Sequence, residues 1–294
     1  MEVTVIGHGS LMSGQGLSFS GTLQVKAAWI VALPGCVRGF AKLSRYGDRF
    51  ATDVEAHHWP LTGRPISPTT MPNGEVEALT LTVSLEDFCR LVKREGYSPA
   101  AVQHLATAAQ EQETSLADFL WQVHEEADHD RLVYRRRLWE LTGFTSPHYI
   151  PHPVRLADES CAVIFLAPGF EGTGADDVLS VRQETGIRKV MNTREAWQRK
   201  PNDDQLTYFL SCLLGGVHSI NVRDLLLPAK EDPLLGEKLR KKLSHSLEEE
   251  QERFLAATSL SHEQYQRAFG DADAALERSG LAEFLFREHQ NSQE

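Results

Sequence analysis

Hydrophobic and polar residues alternate over much of the first hundred positions, and this period of two is typical of β-strands. The alternation is clearest at 75–83, where apolar residues recur from Val76 to Val83. The predicted strands are 3–6, 24–31, 40–43, 50–56 and 75–83. We therefore expect this part of the chain to form a β-rich body.

The apolar period changes to a helical one directly after the last of these strands. Apolar residues then recur three and four positions apart at Leu85, Phe88, Leu91 and Val92. Ser84 followed by Asp87 is a helix N-terminal capping pattern, and Gly96 suits the position just beyond a helix end. The pattern predicts a helix that ends near Glu95.

The remaining chain separates into a helical stretch, a return to strands and a second helical stretch. Helical spacing dominates 99–141, and the segments 149–150, 154–156 and 161–167 become extended again. The glycine- and acid-rich stretch 168–177 is the best candidate for a boundary. Beyond it, the expected helix starts lie near Thr193, Asp203, Pro233, Ser261 and Asp271. We expect an α+β protein with a domain at 1–170, a helical insertion at about 98–147 and a helical extension at 171–294.

Composition narrows the classes of function. The 294 residues carry a net charge of −11, which opposes long-range attraction to nucleic acid or to an anionic membrane. No run approaches the roughly 20 apolar residues of a membrane span, and the N-terminus lacks the basic start of a signal peptide. The four cysteines are far apart and are expected to be reduced. These features predict a soluble cytoplasmic protein.

The turn after the first strand is the first candidate for chemistry. Glycines flank one residue in the sequence Gly7-His8-Gly9-Ser10-Leu11, which we call the site loop. A turn of this kind can point several backbone N–H groups in one direction and so bind a carboxylate, a phosphate or a developing oxyanion. Ser10 could add a hydroxyl.

Four segments in this order resemble the γ-glutamylcyclotransferase superfamily. They are the first strand with the site loop, the segment 33–40 (Leu-Pro-Gly-Cys-Val-Arg-Gly-Phe), the strand 75–83, and the helix ending in Glu95-Gly96-Tyr97. The resemblance covers about residues 3–97, and 149–167 is similar to the closing strands of the same fold. His8 stands where the family usually has tyrosine, and Ala78 where it often has glycine.

The resemblance implies a small mixed β-barrel and a reaction in which a γ-glutamyl amide cyclises, releasing 5-oxoproline and an amine. It assigns the general acid and base to Glu95 and binding of the α-carboxylate or the oxyanion to the site loop. Arg38, Tyr97 and Tyr149 are further candidates for substrate binding. The reaction needs neither a metal nor an organic cofactor.

Two alternatives remain open at this point. The same pocket could release an amine by hydrolysis, or the protein could be a non-catalytic binding or scaffold protein. A partner could then use the helical half. Within that half, Leu239, Leu243 and Leu247 mark an amphipathic helix, which we expect to pack against the body. The apolar residues 281 and 284–286 near the end could dock on the same chain or on a partner.

Histidine pairs raise the question of a metal site. His124 and Asp128, like Glu125 and His129, are four residues apart in a predicted helix. The spacing is not that of a His-Glu-x-x-His site, so an exposed polar face is the expected interpretation. Two more groups lie in predicted loops near strands, at 57–58 and at 148 and 152.

Overall fold

A computed structural model describes residues 1–34, 36–43, 52–58, 75–146, 149–166, 206–226, 229–230 and 233–286. Side chains are described in these ranges except at 34, 36–43, 52–58, 75 and 131–132. The predicted boundary at 168–177 and the expected helix starts at Thr193 and Asp203 lie outside the described residues.

The described strands form one five-stranded sheet and a separate pair. They are β1 (Glu2–Gly7), β2 (Val25–Pro34), β3 (Cys36–Leu43), β4 (Thr52–His58), β5 (Glu75–Ser84), β6 (Ile150–Arg155) and β7 (Cys161–Leu166). The sheet has the order β2-β5-β1-β7-β6, and β3 pairs with β4. It is mixed because β1 is antiparallel to β5 but parallel to β7.

The expected α+β class is confirmed, but the expected closed barrel is not what the described strands form. β2 and β6 are the edges of the sheet, and it does not close into a barrel. Closure would need a strand that joins these two edges. Among the described residues, β3 and β4 follow β2 along the chain but pair with each other instead.

Helices follow the strands in two groups. The first group is α1 (Gly14–Leu17), α2 (Leu85–Arg94), α3 (Pro99–Glu111), α4 (Leu116–Glu126) and α5 (Arg131–Thr142). The second is α6 (Leu206–Leu214), α7 (Pro233–Thr258), α8 (His262–Phe269), α9 (Ala272–Ser279) and α10 (Leu281–Phe286). The predicted starts at Pro233, Ser261 and Asp271 are confirmed, and Ser261 forms a capping box with Gln264. None of the helices in the described ranges is both long and apolar enough to cross a lipid bilayer.

One continuous hydrophobic core joins the sheet to the C-terminal helices. Val5 and Phe165 of the sheet belong to the same buried cluster as Phe209 of α6 and Phe254 of α7. The backbone N–H of Leu23 also donates to the carbonyl oxygen of Ala257 at 2.8 Å. The C-terminal helices therefore pack directly on the β-rich body.

The end of the described chain packs mostly against the rest of the same chain. Leu281 and Phe284 of α10 are buried, whereas Phe286 is 74% exposed. The predicted amphipathic helix is part of α7, where Leu239 and Leu243 are fully buried. Whether a protein partner binds these helices stays a prediction.

A buried polar cluster connects α7 to the chain just after the site loop. The Glu250 carboxylate, fully buried on α7, accepts hydrogen bonds from the backbone N–H groups of Gly14 and, at 3.4 Å, Gln15. The same carboxylate lies 3.2 Å from Nε2 of His218, whose Nδ1 lies 2.9 Å from the Tyr265 hydroxyl. A neutral His218 can donate to the carboxylate and accept from the hydroxyl. The cluster thus offsets the cost of burying Glu250.

The expectation that the histidines of α4 form an exposed polar face is wrong for His124. Its side chain is fully buried and packs edge-to-face against His152 of β6, with ring centroids 4.6 Å apart. The reason is helical periodicity, because His124 lies on the buried face of α4 with Leu116 and Leu120. The described residues hold no group of three or more metal-binding side chains. The side chains at 57–58 and residue 148 lie outside the described ones.

Replacing the buried carboxylate should weaken the whole fold. In Glu250→Gln the amide places a donor beside groups that themselves donate, so we expect a loss of about 2–4 kcal/mol in the free energy of unfolding. Urea denaturation measures this loss. The matched control is Glu248→Gln, an exposed glutamate of the same helix, which should change stability by about 0.5 kcal/mol or less. Equal effects of the two variants would contradict a structural role for the cluster.

Candidate functional site

The site loop leaves β1 in a tight turn. Residues Gly9–Met12 form one 3₁₀-helical turn, and Gly9 has a positive φ of 62° that favours glycine. Gly7 has no room for a side chain, since a Cβ there would lie 2.8 Å from the Cβ of Leu11. The two glycines of the motif are therefore required by the geometry of the turn. Binding of an anion by the backbone N–H groups stays a prediction.

The segment after the loop folds back over it. A Cβ on Gly16 would lie 1.7 Å from the carbonyl oxygen of Ser10, so α1 crosses the loop at backbone contact. Ser10 and Leu11 are buried, with 8% and 5% of their surfaces exposed. The site loop is consequently covered by α1, whose first backbone N–H groups are bound by Glu250 of α7.

His8 attaches the loop to β7, the strand next to β1 in the sheet. Its Nε2 lies 2.8 Å from the carbonyl oxygen of Phe165 on β7, and because a carbonyl only accepts, Nε2 is the donor. Its ring meets Tyr149 edge-to-face, with centroids 6.3 Å apart. His8 and Tyr149, both buried, are therefore neighbours, as a shared site requires.

The end of α2 reaches the same loop. Nη2 of Arg94 donates to Oγ of Ser10 at 2.5 Å, and Nε of Arg94 lies 3.6 Å from Oε1 of Glu95. The side chains of Arg94 and Glu95 are only 16% and 13% exposed. Ser10 and Glu95, 85 positions apart in the sequence, are thus joined through one guanidinium.

The path of the backbone explains why the end of α2 lies next to the site loop. β1 and β5 are antiparallel, with Glu2 beside Ser84 and Gly7 beside Leu79. α2 begins where β5 ends, and its first residue, Leu85, donates its N–H to the carbonyl of Met1 at 3.0 Å. Ten helical residues rise about 15 Å, and the six residues of β1 span about 20 Å, so α2 runs back along most of the strand. The helix therefore ends beside the loop that follows β1.

The predicted end of α2 is confirmed. Ser84 caps the helix by accepting the N–H of Asp87 at 3.1 Å, and Glu95 follows the last helical residue. Gly96 takes a positive φ of 83°, and the N–H of Tyr97 returns to the carbonyl of Val92 at 2.9 Å. This turn fixes the direction in which Glu95 leaves the helix.

Tyr97 is buried just behind the helix end. Its ring packs edge-to-face on Phe144, with centroids 5.1 Å apart, and the hydroxyl of Ser146 donates to the carbonyl of Gly96 at 3.1 Å. Burial raises the pKa of Tyr97 to about 12. Tyr97 is thus a neutral phenol at physiological pH.

The structure brings most of the candidate residues into one region. The site loop, Glu95 and Tyr149 are linked by the contacts above, and Tyr97 lies two residues beyond Glu95. The side chain of Arg38 lies outside the described ones, and its backbone belongs to β3, paired with Ala56 of β4.

Arg94 is the residue that sequence reasoning missed. A basic residue in the last turn of a helix is ordinarily explained by its favourable interaction with the helix dipole. The residue type and position of Arg94 therefore do not indicate a binding role. The signal that could have found it is its position directly before the candidate acid Glu95.

Comparisons of this chain with protein-family models, curated proteins and solved structures found no match. A functional assignment therefore depends on the chain's own residues and geometry.

The buried phenol of Tyr97 predicts a loss of stability at high pH. Unfolded tyrosine ionises near pH 10 and folded Tyr97 near pH 12, so its contribution is complete below pH 10 and is lost as the pH rises towards 12. Between these values the wild type should lose about 2 kcal/mol more unfolding free energy than Tyr97→Phe. Urea denaturation from pH 8 to 12 tests this, and parallel curves for the two proteins would contradict it.

Proposed function

We propose that this chain is a γ-glutamylcyclotransferase-like enzyme that cleaves a γ-glutamyl amide by intramolecular cyclisation. The sheet would then be a γ-glutamylcyclotransferase-type sheet that stays open between β2 and β6. One observation carries the proposal: the site loop and Glu95, which come from separate segments of the resemblance, are bridged by Arg94.

The reaction needs a folded substrate and one group that moves a proton. The substrate's α-amine attacks its own γ-carbonyl carbon, the amide C–N bond breaks, and a five-membered lactam, 5-oxoproline, forms with the free amine. Holding both reacting groups on one bound molecule removes the entropy cost of a bimolecular encounter. Glu95 would take the proton from the α-ammonium and return it to the leaving amine.

The neighbours of Glu95 suit this role. Nε of Arg94 lies 3.6 Å from Oε1 of Glu95, and this ion pair holds the carboxylate at the helix end beside the site loop. The low exposure of both side chains keeps the interaction from being screened by water. Because Oγ of Ser10 accepts from Arg94, its own O–H remains able to donate towards the oxygen of the reacting carbonyl.

The proposal extends to the substrate, the partners and the location, with the net charge of −11 as support. The substrate would be a small γ-glutamyl compound in the cytoplasm, and neither nucleic acid nor a membrane takes part. Glu95 and hydrogen-bond donors suffice for every proton transfer, so the proposed reaction uses no metal or organic cofactor.

A second candidate is a non-catalytic binding protein on the same fold. The observation that favours it is that the Ser10 hydroxyl is already engaged by Arg94 and His8 by Phe165. Hydrolysis by the same residues is the alternative within enzymes, and it would yield glutamate instead of 5-oxoproline.

Removing the carboxylate should abolish turnover. We expect Glu95→Gln to lower kcat by about 10²–10⁴-fold, because general acid–base catalysis contributes that much, while KM changes little. The assay is mass-spectrometric detection of 5-oxoproline after incubation with a panel of γ-glutamyl amino acids, peptides and amines. Glu86→Gln, an exposed glutamate of the same helix, is the matched control and should keep full activity.

The product distinguishes the candidates. Formation of 5-oxoproline by wild type but not by Glu95→Gln supports the cyclotransferase. Glutamate without 5-oxoproline would establish hydrolysis. Full turnover by Glu95→Gln would contradict the role of this residue, and an inactive wild type across the panel would favour the binding protein.

A further inference from the structure

Arg94 is a largely buried cation, 16% exposed, with unused hydrogen-bonding capacity. Its Nη2 donates to Ser10, while its Nε is 3.6 Å from Glu95, beyond an ordinary hydrogen bond. Its Nη1 is buried and has no hydrogen-bond partner among the described residues. Leaving a donor of a charged group buried without a partner is unfavourable, and such a group calls for an explanation.

A bound carboxylate would provide that explanation. The guanidinium presents parallel N–H donors in a planar fork that fits the two oxygens of a carboxylate. The other positive side chain at this helix end, Lys93, is exposed. Among the residues described around Ser10 and Glu95, Arg94 is therefore the cation placed to bind a ligand's negative charge.

The arrangement of the two charges at the site is complementary to that of an α-amino acid. Arg94 and Glu95 place a positive and a negative charge 3.6 Å apart on neighbouring residues. An α-amino acid carries the opposite pair, a carboxylate and an ammonium, on a single carbon atom. Laid against the helix end, its carboxylate would face Arg94 while its ammonium faces Glu95, the group that must remove its proton.

We propose that Arg94 binds the α-carboxylate of the substrate and thereby restricts the enzyme to γ-glutamyl compounds in which that carboxylate is free. The inference rests on the proposed function and deepens it. It also separates two roles given together to the site loop: the carboxylate belongs to Arg94, and the backbone N–H groups serve the oxyanion of the reacting carbonyl.

The first test changes the ligand and leaves the protein intact. Binding of 5-oxo-L-proline and of 5-oxo-L-prolinamide to the wild type is compared by calorimetric titration. Loss of a charge-assisted contact corresponds to about 10- to 100-fold in affinity, so the amide should bind that much more weakly. Equal binding of the two, or no binding of the carboxylate, would overturn the inference even if no variant folds.

The second test changes the arginine. Arg94→Gln should weaken 5-oxo-L-proline about 10- to 100-fold and leave the amide unchanged, with Arg94→Lys between the two. With a substrate that the wild type cleaves, Arg94→Gln should raise KM by the same factor and change kcat far less. Lys93→Gln, which removes an exposed charge from the same helix, should match the wild type.

These readouts separate failure of the inference from failure of the proposed function. Turnover with an unchanged KM and unchanged ligand preference in Arg94→Gln would overturn the role of Arg94 and leave the cyclotransferase intact. Arg94-dependent binding of the carboxylate without any formation of 5-oxoproline would support the subsite and remove the proposed reaction.

Discussion

The candidate site depends on a match of lengths between one strand pair and one helix. β1 and β5 run side by side in opposite directions, and α2 then returns alongside them over most of that distance. Each helical residue turns the side chain by about 100°, so one residue more or fewer in α2 would turn Arg94 away from Ser10. The capping by Ser84 and the left-handed Gly96 fix where the helix starts and stops. The local signals at the two ends of α2 thus determine the geometry of the candidate site.

The C-terminal helices contribute to the same place from the other side. Glu250 receives the first N–H groups of α1, and α1 lies across the carbonyl of Ser10. A buried carboxylate is costly unless its partners are in place, so this cluster links the position of the loop to the packing of α7. The helical half is therefore part of the support of the site. Burial of Tyr265 beside Glu250 raises the pKa of its phenol, which keeps it able to donate to His218.

Local sequence patterns predicted those strands and helices whose formation depends on residues close together in the sequence. The strands β1 and β5, the helix α2 with its cap, and the helices starting at Pro233, Ser261 and Asp271 follow from periodicity and capping residues a few positions apart. The nearness of Glu95 to the site loop came from the family resemblance, not from a local pattern. Neither source could show that Arg94 is the bridge, because an arginine at a helix end usually faces solvent.

Long-range packing explains the remaining differences between the predictions from sequence and the structure. Glu250 meets Gly14 across 236 positions, and no periodic signal marks a contact of that kind. His124 was misplaced because a histidine in a polar run gives no indication that its own helix face is buried. Closure of the sheet depends on how β3 and β4 pair, which alternation within each strand does not specify.

The most direct test of this account is a crystal structure of Glu95→Gln with a γ-glutamyl compound bound. The account predicts a ligand carboxylate within hydrogen-bond distance of the Arg94 guanidinium, its α-nitrogen beside residue 95, and its γ-carbonyl oxygen towards the site loop. A ligand bound elsewhere, or bound here with its carboxylate turned away from Arg94, would contradict the central claim that this helix end and this loop form one active site.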